Sequence, residues 1–372
     1  MHFPTTPVVL GLAALISSAT SAPMIDFTQQ PPSDAVVNAV QQQAHGTLPQ
    51  SSPNVQAPAI SYVGLVNLRL IAFNEMLESV FFQELFDNVT SNDPNYQNFG
   101  GYSRSLVIEQ LNATIAQEAI HAYDANGALA ASGQEMIQPC KYNFNVTTFD
   151  EAIQLAATIG DFVLGVLQDV EDNLAQNGDH GLVRQLASVI GTEGEQEGFY
   201  RILQKNENKV PNSQPFLTTS AGKFAYSAIM GFVVPGSCNA TNFDLIKKDF
   251  GEPFKPLTVE TQNIKPETQD LTYSFPFNGS EGYQMDNPAE DSLLRLVLLN
   301  AQNKPSIQRI ENSQVADGKI TFTAKFPYEE NLMNGLTVAA IATGTGDDDK
   351  DFSTVLDVVN AAIVGPGLIE VN

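Results

Sequence analysis

Gln117-Glu118-Ala119-Ile120-His121 sits near the middle of a long helical run, Tyr102 to Ser132. Leu111, Ile115 and Ala122 recur there at helical spacing and mark a core-facing stripe. Glu118 falls on that stripe, and His121, three residues on, projects from nearly the same face. A carboxylate and an imidazole one turn apart, aimed into a helical bundle, form the Glu-x-x-His half-site of carboxylate-bridged dimetal centres. The same tetrapeptide also arises on ordinary amphipathic helices, with a partly exposed Glu and a hydrogen-bonded His. The flanking sequence has to separate the two cases.

Three further long helical patterns surround this one. The first runs from about Ala59 to Asp87, with Leu65, Leu68, Ala72, Glu75, Glu78 or Ser79, Phe82 and Leu85 on one face. The third runs from Thr148 to Asn177 through Ile153, Ala156, Gly160, Leu164 and Leu167. Thr148 and Glu151 there have the spacing of a capping box. The fourth runs from His180 to Lys205 through Leu182, Leu186, Ile190, Glu193, Glu197, Tyr200 and Leu203. Asn177-Gly178-Asp179 is a tight turn, so helices three and four form an antiparallel hairpin. The two other connections, Asn88 to Gly101 and Gly133 to Val146, are each long enough to run the length of a helix. Either an up-down bundle or one with a crossover therefore fits. A fifth, shorter helix is expected over Thr219 to Phe232, its Gly222, Ala225, Ala228 and Gly231 reading as a close-packing stripe.

From about Glu252 the pattern changes to short β-prone segments separated by Pro, Gly and Asn. They are Leu271 to Phe277, Ser292 to Leu299, Ser306 to Gln314, Lys319 to Phe326, Leu336 to Thr343 and Gly367 to Val371. The whole reads as an α+β chain: a four-helix bundle plus a fifth short helix over 59–250, then a small antiparallel β-sandwich over 251–372. Residues 22–58, rich in Pro, Ser and Gln, read as a tail with no core to build, apart from a short helix around Ser33 to Gln43. Gly346 to Asp351 lacks the spacing of a calcium loop and reads as a solvated acidic turn.

Composition narrows the functional classes. With 18 Lys and Arg against 42 Asp and Glu, the net charge of −24 argues against nucleic acid and anionic membrane surfaces as partners. Val8 to Ile16 is a short apolar core followed by small residues up to Ala22, which reads as a secretory signal over 1–21. No later run is long and apolar enough to predict a membrane span. Two cysteines, Cys140 and Cys238, then suggest one disulfide in an oxidising compartment. The loop closed would be ~100 residues, worth about 4.7 kcal/mol in the chain-entropy picture. Asn-x-Ser/Thr sequons at Asn145 and Asn239, in loops beside the cysteines, and at Asn88 and Asn278 are candidate glycosylation sites. Asn112 lies mid-helix and is expected to be unused or outward-facing. The expected location is therefore outside the cell.

Several stretches together resemble a family. Asn74 to Phe82, Glu118-x-x-His121, Gln138-Pro139-Cys140-x-Tyr142-x-Phe144, Glu193 to Arg201, Met333 to Val338 and Gly365 to Val371 are similar to the ferritin-like proteins of fungi tied to late sexual development and stress response. The resemblance covers most of the chain after the signal. It implies a secreted ferritin-like bundle with a β appendage. It also implies an extracellular or cell-wall role linked to development or stress, with no particular partner or oligomeric state named.

A full dimetal site takes one Glu from each of two helices and Glu-x-x-His from each of the other two. Carried over, that pattern selects Glu75 on the first helix, with Glu78 as runner-up, and Glu118 and His121 on the second. On the third helix the matching position is Gly160, which has no side chain. Asp161 points about 100° away, and Glu171 lies ~16 Å along the axis. On the fourth, Glu193 matches, but Gln196 stands where His is needed; Glu197 shares the face. Four of six ligands remain. In one reading no cofactor is held, and the polar residues form a vestigial network that fixes helix register in a non-catalytic protein. In the other, a single iron or manganese ion binds through Glu75, Glu118, His121 and Glu193, as part of an oxidoreductase or metal-handling protein. With only four His in the chain, the first is favoured. His180, beside Asp179 at a helix start, reads as a surface residue.

Overall fold

Helix caps and long-range side-chain bonds set the frame. The computed structural model describes Phe27 and residues 31–50, 59–204, 210–277, 293–345 and 352–371. The expected signal peptide, the Asn278 sequon and the acidic stretch Gly346 to Asp351 lie outside the described residues. Nine helices are described: α1 (Asp34–Gln43), α2 (Tyr62–Thr90), α3 (Arg104–Ala131), α4 (Phe149–Gln176), α5 (His180–Leu203), α6 (Gly222–Phe232), α7 (Ala240–Phe250), α8 (Tyr328–Asn331) and α9 (Val355–Ala361). Ser33, Ser61, Ser103 and Thr148 cap α1 to α4 by accepting from backbone N–H groups of the first turn. At α4 the Glu151 carboxylate returns its bond to Thr147, one residue before the cap.

The four long helices pack in pairs, α2 with α3 and α4 with α5, and α4 leans on α2. Asp179 fastens the α4–α5 turn to the start of α2. Its carboxylate accepts from Ser61 N at 2.9 Å and from Ser61 Oγ at 2.6 Å. Gly64 makes this approach possible, because a Cβ there would run into the Asp179 carboxylate. Helix α4 is the one described helix apolar and long enough to cross a membrane by composition, and 61% of that window is buried inside the fold, as in a core helix.

The strands form two four-stranded antiparallel sheets, β1-β2-β6-β5 and β4-β3-β7-β8. Their members are β1 (Thr258–Val259), β2 (Gln269–Pro276), β3 (Leu294–Asn300), β4 (Ser306–Arg309), β5 (Glu311–Ala316), β6 (Lys319–Phe326), β7 (Gly335–Thr343) and β8 (Ala362–Val371). The chain is therefore α+β, with its sheets in the C-terminal third. Alternation along β7 explains the layering. Leu336, Val338, Ala340 and Ala342 pack into the helical core, whereas Ala339 and Ile341 face Tyr273, Phe275 and Phe322 of the other sheet. Both faces of β7 are covered, which is why it reads as an unbroken apolar run.

Four expectations change. The segment before α2 is no free tail: Phe27, Val40 and Ala44 are buried, and Phe27 packs on Tyr123 with ring centroids 5.6 Å apart. The expected strand Ser306 to Gln314 splits at buried Ile310, and β4 and β5 enter different sheets. Helix α7 was not anticipated; Arg69 Nε holds its Asp249 at 2.6 Å. On α6 the stripe holds only in part: a Cβ at Gly222 would meet Leu70 Cδ2 at 3.0 Å and Ala225 is buried, but Gly231 faces open space and the buried face is led by Phe224, Tyr226 and Ile229. Cys140 and Cys238 are joined in a disulfide 98 residues apart, which is compatible with an oxidising compartment.

The segment before α6 wedges between α4 and the sheet. Thr218 Oγ1 donates to Leu336 O at 2.6 Å and accepts from Ala301 N at 2.8 Å. Gly165 on α4 faces the Thr218 carbonyl so closely that a Cβ would collide with it. Gly165→Ala is expected to cost about 1–3 kcal/mol by overpacking. Gly191→Ala, on an exposed stretch of α5 with nothing within 4 Å, should gain up to about 1 kcal/mol. Urea unfolding of both variants checks this, and a harmless Gly165→Ala would contradict the close approach.

Candidate metal centre

The core stripes of three helices bring four ionisable side chains together. Glu75 of α2 is 0% exposed, and Glu118 of α3 is 1% exposed. His121 of α3 and Glu193 of α5 complete the group, and one ligand atom from each lies within 4.8 Å of all the others. His121 Nδ1 stands 3.1 Å from Glu118 Oε2, 3.4 Å from Glu75 Oε2 and 3.7 Å from Glu193 Oε1. Ligands bound at ~2.1 Å around one ion stand ~3.0–3.4 Å apart in octahedral or tetrahedral geometry. The three distances from His121 match that within a few tenths of an ångström, and the carboxylate oxygens lie within 4.8 Å of one another. Glu75 Oε1, Glu118 Oε1 and Glu193 Oε1 are buried and make no hydrogen bond among the described residues. Oxygen-rich donors with one imidazole suit a divalent iron or manganese ion. The residues present thus fit one such ion.

The electrostatics show what the cluster costs without a cation. Burial pushes the Glu75 carboxyl up to about 7, against the pull of His121. Burial, then the charges of Glu75 and Glu118, holds Glu193 well above the carboxylate range. Burial lowers the His121 pKa, but the Glu118 and Glu75 carboxylates more than reverse this and hold it well above its ordinary value. Glu78, one turn after Glu75, is raised well above its ordinary value by burial and by Glu193, Glu118 and Glu75. It is not one of the four, and its Oε2 accepts from Asn74 Nδ2 at 2.9 Å. Asp124 is pushed up by burial to about 6, with its carboxylate accepting from Gln185.

The remaining expected positions are filled otherwise. A Cβ at Gly160 would meet Glu197 Oε2 at 2.9 Å, so a carboxylate of α5 occupies the notch on α4. Asp161 turns to Arg201, whose Nη1 is 3.8 Å from Asp161 Oδ2. Gln196 takes no place beside His121. Its Nε2 donates to Gln117 Oε1 at 3.1 Å, and its Oε1 accepts from Tyr200 at 3.3 Å. Asn74 and Gln117 were missed from sequence, since each acts through a polar neighbour rather than on the cluster itself. His180 is an exposed first residue of α5. Asn145 and Asn239 are exposed near the disulfide, and Asn88 is half-buried on α2. Asn112 is half-buried on α3, its carbonyl accepting from Gln43 Nε2 at 2.7 Å. No protein-family model matches the chain, and no curated protein matches it.

In chelator-treated protein, raised groups favour the fold in their protonated forms. Their contribution is full below the unfolded-state pKa and is lost as pH rises through the folded one. For Glu75 that window runs from 4.5 to about 7, and His121 acts in the same direction. The thermal midpoint of metal-free protein is expected to fall between roughly pH 5 and 8. Glu75→Gln, which removes one of the titrations, should flatten the fall; a profile parallel to the parent's would contradict the assignment.

Proposed function

We propose that the bundle holds one divalent transition-metal ion, iron or manganese, at Glu75, Glu118, His121 and Glu193, and that the ion has a structural, non-catalytic role. The observation that carries this reading is the convergence of three buried carboxylates and one imidazole from α2, α3 and α5 at ligand spacing, with oxygens left unbonded. When bound, the ion supplies the positive charge that offsets three carboxylates in a low-dielectric interior. Glu75 and Glu118 are sealed from solvent, as in sites that bind structure together rather than admit substrate. Gly160 and Gln196 remove the third-helix ligand and the second imidazole, so one ion is the capacity rather than two.

The scaffold reading is a ferritin-like bundle. In support, α4 leans on α2, and the long connection between α3 and α4 has room for a crossover. The wider role follows the sequence resemblance: a secreted, glycosylated fungal protein acting outside the cell or at its wall, in development or stress. The signal-like N-terminus, the exposed Asn145 and Asn239 and the disulfide support it.

Metal content by inductively coupled plasma mass spectrometry, on protein from a secretory host purified without chelator, tests the centre. About one iron or manganese per chain is expected, lost in Glu118→Ala and His121→Ala. Removing an ion present at a hundredfold excess over Kd should cost about 2.7 kcal/mol of stability. Metal-free protein whose melting is unmoved by added manganese or ferrous iron would sink the proposal and leave the proton-sharing network in its place.

A further inference from the structure

Away from the metal centre, a cleft of about 400 Å³ opens between α4 and the β region. That is the size of a small-ligand site, and junctions between packed layers are where such sites occur. Its walls are unusual for this acidic chain. Gln154, Thr158, Gln204, Thr261, Gln262 and Asn263 supply four amides and two hydroxyls, and among the described residues no Lys or Arg lines it. Glu370 is the one carboxylate in the lining, and Arg201 Nη1 lies 3.9 Å from its Oε2. The cleft is therefore close to neutral and dense in groups that both donate and accept. Part of that capacity is used internally: Thr158 donates to Gln154 O, and Thr261 Oγ1 accepts from Thr272 N. Gln204 is likewise engaged inward, its Nε2 reaching Ile153 O at 3.5 Å and its Oε1 buried. Ile264 and Leu368 add aliphatic surface between the polar groups.

We infer that this cleft binds a neutral, hydroxyl-rich ligand: a short uncharged oligosaccharide. Hydroxyls pair with amides in both directions, and ring C–H faces suit the aliphatic patch. Anionic ligands find no cation among the described lining residues and meet a chain of net charge −24. The inference does not depend on the metal.

Isothermal titration calorimetry of the full secreted chain tests it. The probes are neutral trisaccharides of β-glucose, β-mannose and N-acetylglucosamine, with a uronic-acid trisaccharide as the anionic control. Saturable binding of at least one neutral sugar is expected, with the control much weaker. Gln154→Ala and Gln262→Ala should each weaken it by about threefold to tenfold. Gln154 is exposed on α4, so its variant should melt like the parent. The inference fails if no neutral sugar binds at millimolar concentration, if Gln154→Ala and Gln262→Ala both keep parental affinity, or if the uronic acid binds equally well. Titrations repeated in chelator should be unchanged; binding lost there would place the sugar at the metal centre and overturn the cleft.

Discussion

Uncompensated negative charge in the interior is the constraint on which the helical region turns. Three carboxylates meet one imidazole at its centre, and Glu78 stands one turn away. In a low-dielectric interior each unpaired carboxylate costs several kcal/mol. The chain has two ways to meet that cost. It can hold protons, which is what the raised Glu75, Glu78 and Glu193 record. Or it can hold a cation, which the spacing of the oxygens accommodates. Both bring α2, α3 and α5 into one register, because the group exists only when all three helices are aligned. At the helix–sheet junction the same problem has a different answer: buried Arg201 lies between Asp161 and Glu370 at 3.8 and 3.9 Å.

Close approach does the rest of the positioning. Gly64 lets Asp179 reach the start of α2, and Gly165 lets the Thr218 carbonyl lie against α4. Through Thr218 the helical region is tied to β3 and β7 by hydrogen bonds, and through the inner face of β7 by apolar packing. The two sequence regimes therefore meet across a shared apolar layer, and α4 serves both: its Ile153 and Ala156 lie in the helical core, while Gly165 meets the segment before α6.

Legibility followed periodicity. The four long helices could be read because their apolar stripes repeat over many turns, and caps such as Thr148 mark their starts. Strand β6 could be read because Ile320, Phe322 and Ala324 alternate with polar residues. Short elements escaped for physical reasons. Helix α9 is rich in Val, which favours strands; its helical signal is the capping box between Thr354 and Asp357. Helix α7 is mostly polar and is held by Asp249 reaching Arg69 and Tyr62 far away in sequence. The break between β4 and β5 falls at Ile310, and just beyond it Asn312 is left-handed at a bulge in β5, which no periodicity reveals. In the site, Glu75, Glu118, His121 and Glu193 were legible because each sits on a core stripe where a charged residue is out of place. The Gln117–Gln196 and Asn74–Glu78 bonds were not, because amides carry no such anomaly.

The two positions that depart from a dimetal pattern, Gly160 and Gln196, are structurally linked to their neighbours. Glu197 Oε2 occupies the space that a side chain at Gly160 would enter, 2.9 Å from its Cβ. A carboxylate placed at Gly160 on α4 would meet a carboxylate already there, and two such groups in one buried volume cannot both ionise. Gln196 is likewise engaged, since its amide joins α3 to α5 through Gln117 and also accepts from Tyr200. An imidazole in its place would have to give up both bonds or reproduce them with one ring. Rebuilding a second metal position therefore requires changing Gly160, Gln196 and Glu197 together. The cluster that could hold an ion is drawn from α2, α3 and α5, with α4 contributing shape and no side chain to it.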